Sequence, residues 1–255
     1  MKQNSIILTS GLTGSSVLTG FISQAGYWTG RSTHKKIGEY DTYENSRLIE
    51  LNQSLLAAAG YAGNYMTEFS PALLRTIENL YGAIDDTPYR QFVAECNEHQ
   101  PWVWKDPRLW LTIRFWKHLL TPDQCRFILL SRSIWQCWMS ALLRRQVRSY
   151  GDLNSYERNV LETNRAFVRD WGAASLEVRY DQMIADPPSV ADDLNRFLGT
   201  ELTVKDLQAI YTKPLYTAPK ASLPDTVKAL LIYAKNYSQR SDTMRGKIAV
   251  TGASR

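Results

Sequence analysis

In the stretch Ser5-Ile6-Ile7-Leu8-Thr9-Ser10-Gly11-Leu12-Thr13-Gly14-Ser15-Ser16, a short apolar run ends in a turn of glycine, serine and threonine. The run 5–9 is typical of a buried strand, and residues 15–25 continue with apolar residues at helical spacing. The turn between them has the composition of a phosphate-binding loop, in which backbone N–H groups and a helix N-terminus face an anion. An ordinary strand-to-helix turn with a serine N-cap has the same composition, so the loop alone leaves both interpretations open.

Strand and helix patterns alternate along the rest of the chain. Short apolar runs predict strands at residues 102–104, 125–130 and 175–180, with a weak strand near Lys36-Ile37. Helical spacing predicts helices at residues 46–59, 71–81, 89–98, 108–120, 134–150, 152–171, 187–198, 203–211 and 224–237. Strands separated by helices indicate an α/β fold, with a parallel sheet of about four to five strands covered by helices on both faces.

The composition is that of a globular chain. Of 255 residues, 44% are hydrophobic and 22% are charged, which excludes a disordered, collagenous or coiled-coil protein. We expect a single domain over residues 1–255, in which residues 240–255 form a loop or tail. The net charge of +5 suits an anionic small ligand at least as well as nucleic acid, and we expect no nucleic-acid partner. The densest basic cluster, Arg144, Arg145 and Arg148, falls on the predicted helix 134–150.

Cysteine content and apolar run length bear on the compartment. The three cysteines, Cys96, Cys125 and Cys137, form no Cys-x-x-Cys pair, so we expect neither a disulfide framework nor a metal site. A reducing, cytoplasmic setting is the simplest interpretation. The apolar stretch 6–22 is too rich in serine, threonine and glycine for a signal peptide. No run approaches the roughly 20 apolar residues that span a bilayer, so we expect no membrane partner.

Three turns that follow predicted strands carry the polar residues of a candidate binding site. They are residues 10–16, 105–108 and 131–133, and ligands of parallel α/β sheets bind at the carboxyl ends of the strands. Arg132, with Ser140 about two turns into the next helix, can hold a phosphate through charge-assisted hydrogen bonds. Alternatively, these two are a surface arginine and a helix serine, and residues 105–108 are a local salt-bridge cluster.

The first of these turns is not the Walker loop of ATP- and GTP-binding proteins. That motif reads Gly-x-x-x-x-Gly-Lys-Ser/Thr, whereas Gly11 and Gly14 are closer together and no lysine follows Gly14. The strand 125–130 is followed by Ser131-Arg132 and not by an acidic residue that could hold magnesium. A loop of this kind suits an anion whose charge is neutralised by side chains.

Four motifs in this order resemble the sulfotransferases that use 3'-phosphoadenosine 5'-phosphosulfate (PAPS), and the resemblance covers most of the chain. Residues 11–16 resemble the 5'-phosphosulfate loop of that family, and residues 127–132 with Ser140 resemble its 3'-phosphate site. Residues 104–109 are similar to a stretch common in bacterial members. Residues 178–187 are similar to the family's strand that carries a tyrosine near the adenine.

The resemblance implies a P-loop NTPase-like fold and a reaction. A sulfonate group would move from PAPS to a hydroxyl or amine of a small-molecule acceptor, leaving adenosine 3',5'-bisphosphate and using no metal. The nucleotide-binding residues that it implies are Gly11, Leu12, Thr13, Gly14, Ser15, Ser16, Arg132, Ser140 and Tyr180.

One position departs from the family pattern. The family's first loop usually has a lysine or arginine that contacts the transferring sulfonate, and alignment on Gly14-Ser15-Ser16 puts Leu12 at that position. Another cation would have to supply this charge. We expect Lys105 to do so, because a lysine after this strand also faces the sulfonate in related enzymes. Arg108 and Arg31 are the alternatives.

The acceptor must lose a proton, so a general base has to reach it. Glu44 is the first candidate, because related sulfotransferases often have a catalytic glutamate in the segment after the first helix, and Asp106 is the second. Glu39 and His34 lie in the same segment as Glu44. Alternatively, Glu44 stabilises the N-terminus of the helix that follows it, and His34 is a loop histidine.

Aromatic residues are frequent near the segments expected to frame the acceptor. An aromatic-lined pocket suits an apolar or ring-bearing acceptor. The residues concerned are Trp28, Tyr40, Tyr43, Tyr61 and Tyr65. Core packing is the alternative, and it is the interpretation that we favour for Trp102, Trp116 and Trp138.

Two other functions stay open at this point. Leu12 favours a nucleotide-binding relative that does not catalyse transfer. A P-loop kinase is less well supported, because it would need the Walker lysine and an acidic residue for magnesium. The C-terminal Arg245-Gly246-Lys247 is either a basic loop that closes over the nucleotide or a frayed tail.

Overall fold

A parallel sheet lies at the centre of the computed structural model, which describes residues 2–36, 40–144, 146–210 and 223–239. The strands are β1 (Asn4–Leu8), β2 (Thr33–Lys36), β3 (Tyr40–Asn45), β4 (Val103–Lys105), β5 (Cys125–Ser131) and β6 (Ser175–Arg179). Strands β4, β1, β5 and β6 lie in that order in one sheet, and each neighbouring pair is parallel. Strands β2 and β3 form a separate antiparallel hairpin.

Helices connect the strands, and each predicted helix has a counterpart. The helices are α1 (Ser15–Ser23), α2 (Ser46–Ala58), α3 (Pro71–Glu78), α4 (Thr87–Glu98), α5 (Leu109–Trp116), α6 (Ile134–Leu143), α7 (Tyr150–Trp171), α8 (Tyr180–Ala185), α9 (Pro187–Leu198), α10 (Val204–Ile210) and α11 (Leu223–Asn236). The short α8 is additional to the prediction. Within the described ranges, no helix is both long enough and apolar enough to cross a membrane.

The sheet separates two hydrophobic cores, one on each face. Along β1, Ile6 and Leu8 belong to one core and Ile7 to the other, because successive side chains of a strand point to opposite faces. Strand β5 divides in the same way between Phe127 and Ile128. Helices α1, α8, α9 and α10 cover the second face, and α2 to α7 with α11 cover the first. The expected α/β fold with helices on both faces is confirmed.

The predicted helix 134–150 is wrong at its C-terminal end. Helix α6 stops at Leu143, and α7 has its own N-cap, the Ser149 hydroxyl, which accepts a hydrogen bond from the Asp152 N–H. In the connection, Arg148 is only 2% exposed and its guanidinium donates to two backbone carbonyl oxygens. These contacts hold Arg148 inside the protein, so it does not belong to an exposed basic surface.

The hairpin lies in the polar segment 27–45, for which the sequence predicts only a weak strand near Lys36-Ile37. Strand β2 ends at Lys36, and Ile37 lies outside the described residues. Asp41 of β3 accepts hydrogen bonds from the Thr33 hydroxyl at 2.6 Å and from the Tyr43 N–H at 2.7 Å. Because polar contacts of this kind hold the hairpin, its sequence shows no alternation of apolar and polar residues. The sequence therefore gives no signal for β3.

Candidate functional site

A cleft of about 480 Å³ lies at the carboxyl ends of the parallel strands. This is the location expected for a ligand of such a sheet, and small-molecule sites measure about 300–1,000 Å³. Most of the residues singled out in the sequence line it, namely Gly11, Leu12, Gly14, Ser15, Ser16, Glu44, Lys105, Arg132, Ser140 and Tyr180. Thr13 and Asp106 are fully buried and lie outside its lining.

The glycine at the start of α1 is required by both conformation and space. Gly14 has φ 85°, a left-handed conformation that favours glycine. A Cβ atom at this position would lie only 2.1 Å from the ring of Tyr180. Tyr180 is the first residue of α8 and not the end of a strand, as the sequence pattern indicated. The turn after β6 therefore places this aromatic ring directly against the glycine loop after β1.

Arg132 joins the turn after β5 to the same loop. Its guanidinium lies 4.8 Å from the centre of the Tyr180 ring, a cation–π distance. It also donates to the Leu12 carbonyl oxygen at 3.3 Å and to the Gln136 side chain at 2.9 Å. Tyr180, Arg132 and the glycine loop thus form one connected wall of the cleft, with the arginine charge held at its surface.

The loop residues Leu12 and Thr13 face different surroundings. Leu12 has φ 54°, which is uncommon for a residue with a side chain, and such conformations cluster at ligand sites. The Thr13 hydroxyl lies 2.5 Å from the Thr9 hydroxyl beneath the loop. Thr13 therefore stabilises the loop from below, while its backbone remains part of the turn around the cleft.

Lys105 and Glu44 form a buried ion pair at the cleft. The Lys105 ammonium donates to the Glu44 carboxylate at 2.5 Å, and the two side chains are 3% and 12% exposed. It also donates to the Ser16 hydroxyl and to the Thr42 carbonyl oxygen, both at 3.3 Å. The ammonium thus connects the end of β4, the start of α1 and the β2–β3 hairpin. Glu44 lies in β3 and contacts this lysine, which differs from the helix-stabilising role considered for it.

Asp106 adjoins Lys105 in sequence but has a different environment. Its carboxylate accepts hydrogen bonds at 2.9 Å from the Asn52 amide and from both the backbone N–H and guanidinium of Arg108. Burial raises the pKa of this carboxyl, and the neighbouring Arg108 opposes the rise. The Asn52 oxygen in turn accepts a hydrogen bond from Trp116. This network holds the turn after β4 and gives Asp106 structural partners in place of access to the cleft.

The other cations considered in place of a loop lysine are committed elsewhere. Arg108 pairs with Asp106, and its guanidinium lies 4.7 Å from the centre of the Tyr65 ring. Arg31 is 74% exposed and pairs with Glu95 on the surface. Of the three candidates, only Lys105 lines the cleft.

Several cleft residues were not identified from the sequence. Arg144 lies one turn after Ser140, where α6 ends, and the i, i+4 spacing of these two residues could have revealed it. Thr42 and Met66 also line the cleft, but their segments carry no local pattern of a binding site. His34 and Tyr40 of the hairpin also line the cleft. From the sequence, His34 is named beside the candidate base Glu44, and Tyr40 is among the residues expected to frame the acceptor.

Most of the remaining aromatic residues pack away from the cleft. Trp28 stacks on His99, with ring centres 4.7 Å apart, and the Tyr65 ring lies against Arg108. The core interpretation is confirmed for the three tryptophans to which it was applied. They are Trp102, Trp116 and Trp138, and all are buried in one hydrophobic core.

Metal-ligating residues are dispersed in the part of the chain that the structure describes. There, no three His, Cys, Asp or Glu side chains come together as a possible metal site. The three cysteines are buried, and burial raises the pKa of each thiol. Glu39, Arg145 and the Arg245-Gly246-Lys247 segment lie outside the described residues.

Solved structures similar to this chain include two sulfotransferase domains, although no protein-family model and no curated protein sequence matches it. The sulfotransferase domain of the Synechococcus PCC 7002 olefin synthase aligns over 92% of this chain and 96% of its own, with TM-score 0.52 and 18% identity. The sulfotransferase domain from the curacin biosynthetic pathway aligns over 86% and 81%, with TM-score 0.52 and 14% identity. The α/β fold described above is therefore the fold of sulfotransferase domains.

Proposed function

We propose that this protein is a sulfotransferase that moves a sulfonate group from PAPS to a hydroxyl or amine of a small-molecule acceptor. One observation carries the proposal. The glycine loop, Arg132 and the Lys105–Glu44 pair come from separate parts of the chain and line one cleft of a sulfotransferase fold. The donor's 3'-phosphate, 5'-phosphosulfate and sulfonate each require positive charge or N–H donors, and this cleft offers both.

The nucleotide would lie between the glycine loop and the turn after β5. Arg132 and Ser140 would hold the 3'-phosphate, because a guanidinium and a hydroxyl both donate to phosphate oxygens. The N–H groups of residues 11–16, with the N-terminus of α1, would hold the 5'-phosphosulfate. The Tyr180 ring, which already contacts Gly14 and Arg132, offers a flat surface for the adenine.

The ion pair supplies the two groups that the transfer needs. PAPS, when bound, contributes the activated sulfonate. Lys105 stabilises the negative charge that develops on the leaving phosphate. In this role, Lys105 replaces the cation that is missing at Leu12. Glu44 accepts the proton of the acceptor hydroxyl or amine from the hairpin side of the cleft. Asp106 acts as a positioning residue, because its network fixes the turn that carries Lys105.

A nucleotide-binding relative without transfer activity is the second candidate, and Leu12 is the observation that favours it. Both candidates require adenosine 3',5'-bisphosphate to bind, and only the first requires turnover. Turnover would be measured as bisphosphate formed from PAPS in EDTA, with a panel of phenols, alkanols and primary amines as acceptors. Bisphosphate binding without turnover on any acceptor would contradict the sulfotransferase proposal and support the non-catalytic relative.

Ligand-induced stabilisation tests the proposed cleft. Saturation with adenosine 3',5'-bisphosphate should raise the melting temperature by about 5 °C or more, and ATP with magnesium should not. Arg132→Ala should weaken bisphosphate binding about tenfold or more, because it removes a charge-assisted hydrogen bond. Arg196→Ala is the matched control, since Arg196 is an exposed arginine of α9 that pairs with Asp193. Equal binding by the Arg132 variant and the control would contradict this assignment.

A further inference from the structure

A second cavity, of about 310 Å³, lies behind the glycine loop, between the end of β5 and helix α7. Ser10 and Arg132 are part of its lining, and Arg132 also lines the first cleft. The loop and this arginine therefore separate the two cavities. None of the nucleotide contacts proposed above uses the second cavity beyond this shared wall.

Two hydrogen-bond acceptors in this cavity have unused capacity. Glu157 accepts a hydrogen bond from the Ser10 hydroxyl through one oxygen, and within the described residues its other oxygen has no partner. Asn164 is 1% exposed, and its side-chain oxygen is buried without a hydrogen-bond partner. Both residues line the cavity from α7, about two helical turns apart. A buried acceptor without a donor costs free energy, so the Asn164 oxygen, together with the free oxygen of the half-buried Glu157, indicates a ligand that donates hydrogen bonds.

The carboxyl of Glu157 favours a cationic donor over a neutral one. Burial raises its pKa to about 7, while the Ser10 hydroxyl and Arg148 oppose the rise. A positive charge placed beside this carboxyl would compensate for the cost of its burial. An ammonium group has three donors, which is enough for both the free Glu157 oxygen and the Asn164 oxygen.

The remaining lining of the cavity has an apolar part, here called its floor, and a polar edge that contains Arg158, Arg165 and Glu162. The floor is formed by Leu130, Ile134, Val160 and Leu161. At the edge, Arg158 is exposed and forms no ion pair with any described residue. The neighbouring Arg165 is instead paired with Glu162 and Glu177. An unpaired guanidinium beside an apolar surface is suited to a carboxylate.

We propose that this cavity binds a free α-amino acid with a branched aliphatic side chain. The ammonium group contacts Glu157 and Asn164, the side chain packs on the apolar floor, and the carboxylate pairs with Arg158. The three chemical features of the cavity match the three parts of such a molecule. Its location behind Ser10 makes it a second ligand site, separate from the nucleotide cleft.

Three probes of nearly equal size test this assignment by calorimetry. L-leucine has all three parts, 3-methylbutylamine lacks the carboxylate, and 4-methylpentanoate lacks the ammonium. We expect L-leucine to bind with a dissociation constant of about 1 mM or below, and each analogue to bind at least about tenfold more weakly. Equal binding by all three probes, or no binding of L-leucine at 10 times that concentration (about 10 mM), would overturn the proposal.

Variants locate the site. Arg158→Ala changes an exposed side chain and should weaken L-leucine binding about fivefold to tenfold. Glu157→Gln keeps an oxygen for the Ser10 hydroxyl, removes the charge and should weaken it about tenfold or more. Arg169→Ala, at another exposed arginine of α7, is the matched control and should bind as the unmodified protein does. Circular dichroism checks that each variant is folded. Unchanged affinity in Arg158→Ala would exclude this cavity as the site, whatever the stability of Glu157→Gln.

Discussion

The two sides of the cleft are built in different ways. The side proposed to bind the donor, here called the donor side, consists of the glycine loop, Arg132, Ser140 and Tyr180, and each lies in a short motif at or shortly after the end of a parallel strand. The opposite side, here called the acceptor side after its proposed role, is formed by the β2–β3 hairpin and by Met66, which belong to polar or irregular segments. Lys105 joins the two sides, because its ammonium contacts both Ser16 and Glu44. Nucleotide binding and acceptor activation should therefore respond separately to substitution.

The largest effect is expected at this junction. Lys105→Ala removes the only one of the three candidate cations that lines the cleft, and turnover should fall about 100- to 1,000-fold. Bisphosphate affinity should change much less, because Arg132 and the loop N–H groups remain. The measurement is bisphosphate formation with the best acceptor of the panel, alongside calorimetric binding of the product. Lys117→Ala, at a surface lysine that pairs with Glu78, is the control. Turnover retained in Lys105→Ala would remove this residue from the mechanism.

The second effect concerns Glu157, which accepts a hydrogen bond from Ser10 of the glycine loop. Its contribution to the free energy of unfolding depends on pH. The folded-state pKa of Glu157, raised by burial to about 7, exceeds its ordinary value of 4.5. The folded state therefore binds the proton more tightly, so the contribution is present below pH 4.5 and is lost as the pH rises to about 7. The loss is on the order of 3 kcal/mol of unfolding free energy.

Denaturant unfolding at several pH values measures this contribution. The unfolding free energy of the unmodified protein minus that of Glu157→Gln should decrease between pH 4.5 and pH 7 and level off above. Glu162→Gln, which changes a more exposed carboxyl of the same helix, is the control measured in parallel. If the difference in unfolding free energy between the unmodified protein and Glu157→Gln stayed constant with pH, the raised pKa of the Glu157 carboxyl would be contradicted.

The smallest effect separates conformation from contact in the glycine loop. Gly14 and Gly26 both have φ 85°, but only a Cβ at Gly14 would meet a neighbour within 4 Å, the Tyr180 ring. Gly26→Ala should cost about 1 kcal/mol of stability from the left-handed φ alone. Gly14→Ala should cost more, and it should weaken bisphosphate binding about tenfold, or about 1.4 kcal/mol, by displacing Tyr180. Equal stability and equal bisphosphate affinity of the two variants would show that the contact with Tyr180 is unimportant.

The donor side could be predicted because its motifs are local. An apolar strand followed by Gly11 to Ser16, or by Ser131-Arg132, can be recognised within about ten residues, and strand ends of a parallel sheet meet at one edge. Ser140 lies about two turns into the helix that follows Arg132, and both residues line the cleft. Where prediction failed on this side, at the end of α6, the cause was Arg148, which lies in the connection to α7 and donates to the Met66 carbonyl oxygen, 82 residues away.

The acceptor side could be predicted only in part. Glu44 was a candidate from its position in the chain, but its contact with Lys105 spans 61 residues. Thr42 and Met66 have no sequence signal, because their segments are held by polar contacts and by packing against distant residues. Lys105 was a candidate cation and Asp106 a candidate base, and their contacts separate them: Asp106 is enclosed by Asn52 and Arg108, while Lys105 lines the cleft.

By itself, the amino-acid sequence determined the α/β class, the order of the four parallel strands and of the helices other than α8, and the loop suited to an anion. These follow from apolar periodicity and turn residues, which act over a few neighbouring positions. Only the tertiary structure decided that Lys105 pairs with Glu44, that Asn52 and Arg108 enclose Asp106, and that Glu157 and Asn164 share a second cavity. Charge and burial depend on residues brought together from distant parts of the chain, and local patterns carry no information about them.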